Sequence, residues 1–88
     1  MLYDYYFEGR KPSIKQVLKQ VQEGIRQNAR TIEISWGENM VTIQRSGLSK
    51  DWIGSGWIKG ISGYDIAKDL NARQVAKDHV QLLNLWNT

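Results

Sequence analysis

From Met1 to Glu8 the chain alternates: Met1, Tyr3, Tyr5 and Phe7 fall on one side of an extended backbone, and Leu2, Asp4, Tyr6 and Glu8 on the other. Period-two alternation in aromatic-rich sequence predicts a strand. Gly9-Arg10-Lys11-Pro12 breaks it, and Pro12 followed by Ser13 announces a helix, with Gln16 placed to complete a capping box. Ile14, Val17, Leu18, Val21 and Ile25 then recur at steps of three and four. A helix to about Ala29 therefore lays one apolar stripe on a sheet.

Two alternating runs between Thr31 and Ser46 flank Gly37-Glu38-Asn39 and predict a β-hairpin. With Glu38-Asn39 as the loop, Trp36 opposes Val41, Ile34 opposes Ile43 and Ile32 opposes Arg45 on one face. Ser35 with Thr42 and Glu33 with Gln44 share the other, wetter face. Glu38 suits a tight primed turn poorly, so a longer loop serves the pattern equally well.

The stretch 47–63, GLSKDWIGSGWIKGISG, holds five of the eight glycines and two of the four tryptophans. Trp52 and Trp57 are five positions apart, an odd spacing that sends them to opposite faces if the segment is one regular strand. A bulge or turn at Gly54-Ser55-Gly56 would bring them to one face instead. Two readings stay open: tryptophans that cap the core, or an aromatic surface for recognising a partner, with Lys50 and Lys59 lending charge. Beyond it, Ser62 can cap a helix over 63–70 with Asp65 in its first turn, and Asn71 can cap a second over 72–86 with Gln74 as its box partner. Val75, Ala76, His79, Leu82, Leu83 and Trp86 form the apolar stripe of that second helix.

The fold class expected is α+β, as one domain over residues 1–88: a mostly antiparallel sheet in the order β-α-β-β, a further short strand in the glycine-rich segment, and two C-terminal helices. The chain has 88 residues, 41% hydrophobic and 24% charged, which fits a folded protein. No apolar run approaches the roughly 18 residues that span a bilayer, and the first residues lack the basic and apolar blocks of a leader. Zero cysteines remove a disulfide framework and thiolate metal sites. A cytoplasmic, membrane-free setting is the expectation.

Catalytic signals are poor. His79 is the only histidine and lies on an apolar helix side, with Asp78 about 100° away. Asp65 and Asp69 sit one helical turn apart, yet Asp69 is equally placed to pair with Arg73. Gly54-x-Gly56-x-x-x-Gly60 has one residue too many for a dinucleotide fingerprint, and no Gly-Lys-Ser/Thr follows. No enzyme activity, cofactor or metal is expected.

A net charge of +3 allows an acidic partner without demanding one. Lys15, Lys19, Arg26 and Arg30 project within roughly 60° of one another along a flank of the first helix, beside a row of Gln16, Gln20 and Gln27. Ile66, Ala67 and Leu70 followed by Arg73, Gln74 and Lys77 have the outline of a helix-turn-helix, with a linker about two residues short of the usual pattern. The reading is thus a non-enzymatic module that binds a macromolecule, a protein in the first instance, through Trp52, Trp57, Lys50 and Lys59. The alternative is nucleic-acid binding through Lys15, Lys19, Arg26, Arg30, Arg73 and Lys77.

Overall fold

Strand β1 (Leu2–Phe7) forms where the aromatic alternation predicts it and opens the chain's only parallel pairing among the described strands. The computed structural model describes residues 1–47 and 51–76. Helix α1 (Ile14–Arg26) starts at the capping box, with the Ser13 hydroxyl accepting from the Gln16 N–H at 3.2 Å and the Gln16 side chain accepting from the Ser13 N–H at 2.9 Å. It ends three residues before the expected Ala29. Asn28 takes φ +60°, and the N–H groups of Asn28 and Ala29 return to the carbonyls of Ile25 and Gly24. That pair of bonds is a Schellman close, for which asparagine is the usual substitute for glycine.

Strands β2 (Thr31–Trp36) and β3 (Asn39–Arg45) make the expected hairpin with a different register. Ile34 pairs with Val41, Ile32 with Ile43 and Trp36 with Asn39, so the loop is Gly37-Glu38, two positions from the register expected. Gly37 has φ +60° and Glu38 stays at negative φ, the pattern of a type II′ turn, which asks for glycine at its first central position. A shift of two leaves every side chain on its expected face, because the strand repeat is two.

The glycine-rich segment forms more strand than the short one expected. It supplies a seven-residue strand, β4 (Trp52–Ile58), paired along its length with β3, and a two-residue β5 (Ile61–Ser62) reached through a Lys59-Gly60 turn with both residues at positive φ. The sheet is five-stranded and mixed, in spatial order β1-β2-β3-β4-β5. Helix α2 (Gly63–Ala76) follows directly, with the Asp65 N–H bonded to the Ser62 hydroxyl. It runs unbroken through Asn71, where the sequence suggested a boundary between two helices. Residues of the expected second helix beyond Ala76, among them Lys77, His79 and Trp86, lie outside the described residues, as does Lys50.

Both helices cover the same side of the sheet. Val17 and Val21 of α1 and Ile66, Ala67 and Leu70 of α2 join Ile32, Ile34, Val41, Ile43, Trp52, Ile58 and Ile61 in one core. The opposite side carries no helix among the described residues. No described helix is long and apolar enough to cross a membrane.

Candidate functional site

The strand registers define the sheet face that carries no helix among the described residues. One row across it reads Tyr6, Ser35, Met40, Trp57, the next Asp4, Glu33, Thr42, Ser55, and the third Leu2, Thr31, Gln44, Ile53. Large apolar side chains occupy the two outer rows and stand in solvent: Trp57 is 57% exposed, Tyr6 55%, Met40 43% and Ile53 60%. With strands about 4.8 Å apart, the Tyr6 to Trp57 row spans roughly 14 Å. The middle row brings two carboxylates side by side, Asp4 on β1 and Glu33 on β2. None of the strand positions pointing to this face is Lys or Arg.

Trp52 points the other way. Its side chain is 7% exposed, joins the core, and lies with its ring 5.5 Å from the Arg45 guanidinium carbon. The two tryptophans of the glycine-rich segment are thus divided by the sheet. Trp36 belongs to the helix side as well, its indole N–H donating to the Gly9 carbonyl at 2.9 Å and its ring 6.0 Å from the Lys59 ammonium. Lys59 is exposed in the β4–β5 turn, so its charge is applied to the Trp36 end of the helix side.

The glycines that flank these tryptophans serve the fold. A Cβ at Gly54 would stand 1.8 Å from the Gly63 carbonyl oxygen, and one at Gly63 would stand 2.0 Å from the Ser55 carbonyl oxygen. At Gly56, with φ +85°, an added Cβ would stand 2.0 Å from the Met40 carbonyl oxygen. Bare backbone at 54 and 63 lets the first turn of α2 rest directly on β4.

Of the six cations considered for nucleic acid, Lys15, Lys19 and Arg26 lie exposed on α1 and Arg30 in the following loop. Arg26 is turned to Glu23, which accepts from its Nε at 3.1 Å and from Nη2, and also accepts from Gln27. Those two donors hold the Glu23 carboxyl below the usual range, and the same contact raises Arg26. The four-cation row is therefore interrupted by an internal ion pair. Arg73 lies in α2, and Lys77 lies outside the described residues. A groove at the sheet end lined by Ile25, Ala29, Arg30, Arg45 and Trp52 sets a further guanidinium, that of Arg45, beside Arg30 on the helix side.

The exposed row of Tyr6, Met40 and Trp57 was only partly legible in sequence. Met40 gave no signal alone, and Tyr6 joins Trp57 only once the β1–β2 parallel pairing is known. No group of three His, Asp or Glu side chains suited to a metal occurs among the described residues. No protein-family model, curated protein or solved structure matches the chain.

Proposed function

We propose that this chain is a small non-enzymatic binding module whose helix-free sheet face docks on a protein partner. The observation that carries the reading is the exposure of Trp57, Tyr6 and Met40 in one row on a single face. Concentrated apolar exposure on a small domain marks an interaction surface, and tryptophan and tyrosine are the residues most often found at its energetic centre. Asp4 and Glu33 beside that row favour a partner presenting Lys or Arg between apolar side chains. They also oppose a phosphate backbone on this face. The setting we assign to this module is cytoplasmic.

Nucleic acid, if bound, belongs to the helix side, where Lys15, Lys19, Arg30 and Arg45 lie. A titration against mixed-sequence DNA and RNA at two salt concentrations decides between the two: the proposal expects no steeply salt-dependent complex. Partner capture from the native cell, followed by binding with the purified partner, should be weakened about thirtyfold by Trp57→Ala, the effect of losing a hot-spot residue worth about 2 kcal/mol. Full affinity in Trp57→Ala, or binding to nucleic acid that Lys15→Glu and Lys19→Glu abolish, overturns it.

A further inference from the structure

The two edges of the sheet are treated differently. On the β5 side the edge is closed: β5 has only two residues, and the free flank of β4 is occupied by α2. There the Asn71 amide accepts from the Trp52 N–H at 2.6 Å and donates to the Trp52 carbonyl at 2.9 Å, standing in for a neighbouring strand. The β1 edge has no such cover among the described residues. The Met1 carbonyl accepts from the Arg30 and Thr31 N–H groups, so the alternating main chain turns Met1, Tyr3 and Tyr5 toward β2. Leu2, Asp4 and Tyr6 turn their N–H and C=O groups outward. The strand Leu2–Phe7 contains no proline or lysine, the residues that most often blunt an edge, and its one charge is Asp4.

We propose that β1 pairs antiparallel with β1 of a second copy of this chain, joining two sheets into one across a two-fold axis. An axis perpendicular to the sheet sets the strands antiparallel and keeps helix side with helix side, so residues of the same parity face each other. A register centred on Asp4 would oppose two carboxylates, which is unfavourable. Centring on Tyr5 instead opposes Asp4 to the partner's Tyr6, an acceptor to a hydroxyl, and sets Asp4 and Tyr6 of the three outward-facing residues as hydrogen-bonded pairs. Tyr5 then meets the partner's Tyr5 in the closer, non-hydrogen-bonded type of pair. The helix bordering this edge fits the same partner. Tyr3 donates to Gln20, which puts the Gln16, Gln20 and Gln27 row of α1 beside β1, and the one acid in that row, Glu23, is held by Arg26 and Gln27. Two such flanks bring amides to the seam, with Lys15 and Lys19 on the adjoining row. Because each copy offers one free edge among the described strands, pairing closes at two chains and does not extend into a fibre.

The absence of native cysteine gives a direct test. Mild oxidation of the full chain should link Tyr5→Cys into a disulfide dimer about tenfold faster than Asp4→Cys, because only the pair on the axis comes within disulfide reach. Sedimentation of the wild-type chain should give a two-chain mass at high concentration, falling to one chain in Asp4→Pro, whose lost N–H faces away from β2. Should Asp4→Pro fail to fold, the cysteine pair and the wild-type mass still decide. A single-chain mass at every concentration, or linkage at position 4 as fast as at position 5, overturns the proposal.

Discussion

Trp52 and Trp57 are five positions apart in sequence and the thickness of a sheet apart in space. Their burial assigns them opposite duties, and substitution should separate those duties in a denaturant titration. Trp52→Ala removes a core aromatic and should cost about 3–5 kcal/mol of stability, whereas Trp57→Ala should stay within about 0.5 kcal/mol of wild type. The odd spacing made opposite faces readable in advance for a regular strand. Which tryptophan faced inward was not readable, because that depends on Ile43 pairing with Gly54 and Arg45 with Trp52. Tyr3 supplies a second test at this scale. Its hydroxyl donates to Gln20, and burial first, then the nearby Glu23 charge and Tyr5, raise its pKa. The neutral phenol is therefore the form the fold favours: its contribution is intact below the unfolded value of about 10 and is lost as pH rises through the folded value. The stability difference between wild type and Tyr3→Phe, followed by denaturant titration from neutral to alkaline pH, should shrink over that window. A difference constant with pH would show that the hydroxyl is not held as described.

At the scale of elements, α2 and β4 depend on each other more than either sequence suggests. Glycine at 54 and 63 allows backbone contact, and Asn71 fastens the far end of the strand. Asn71→Ala should cost about 1–3 kcal/mol, since the Trp52 N–H and C=O then lose their partner in a part-buried position, and Asn71→Asp should recover only the bond from the N–H. Gly54→Ala should cost more than about 3 kcal/mol, because the atom it would strike is main chain and cannot rotate away. Thermal or chemical unfolding checks both. Helix α1, its capping box and the hairpin faces were legible because each rests on local chemistry: Ser13 with Gln16, and strict alternation from Thr31 to Arg45. The strand in 52–58 was hidden because its glycines read as punctuation, when two of them are sites of close approach. Asn71 misled for a related reason, since its side chain bonds to a distant strand and not to its own helix.

Across the whole molecule, charge is sorted by side. The chain carries a net +3, yet the sheet face without a described helix presents Asp4 and Glu33 with no Lys or Arg on its strands, and the described cations lie on the helices, in the loops and, at Arg45, on the helix-side face of β3. Neither composition nor any one segment reveals this sorting, which follows from β1 lying parallel beside β2. It turns a choice between protein and nucleic acid into a choice between two sides of one sheet. A photo-cross-linking amino acid at position 57, with matched probes at Lys19 and Lys68 on the helices, tests that choice in the cells that make the protein. A discrete protein adduct is expected from position 57 that the helix probes do not give, of a mass other than this chain's own, since Trp57 lies three strands from the β1 edge. Adducts to protein or nucleic acid from positions 19 or 68, with none from 57, would contradict that expectation.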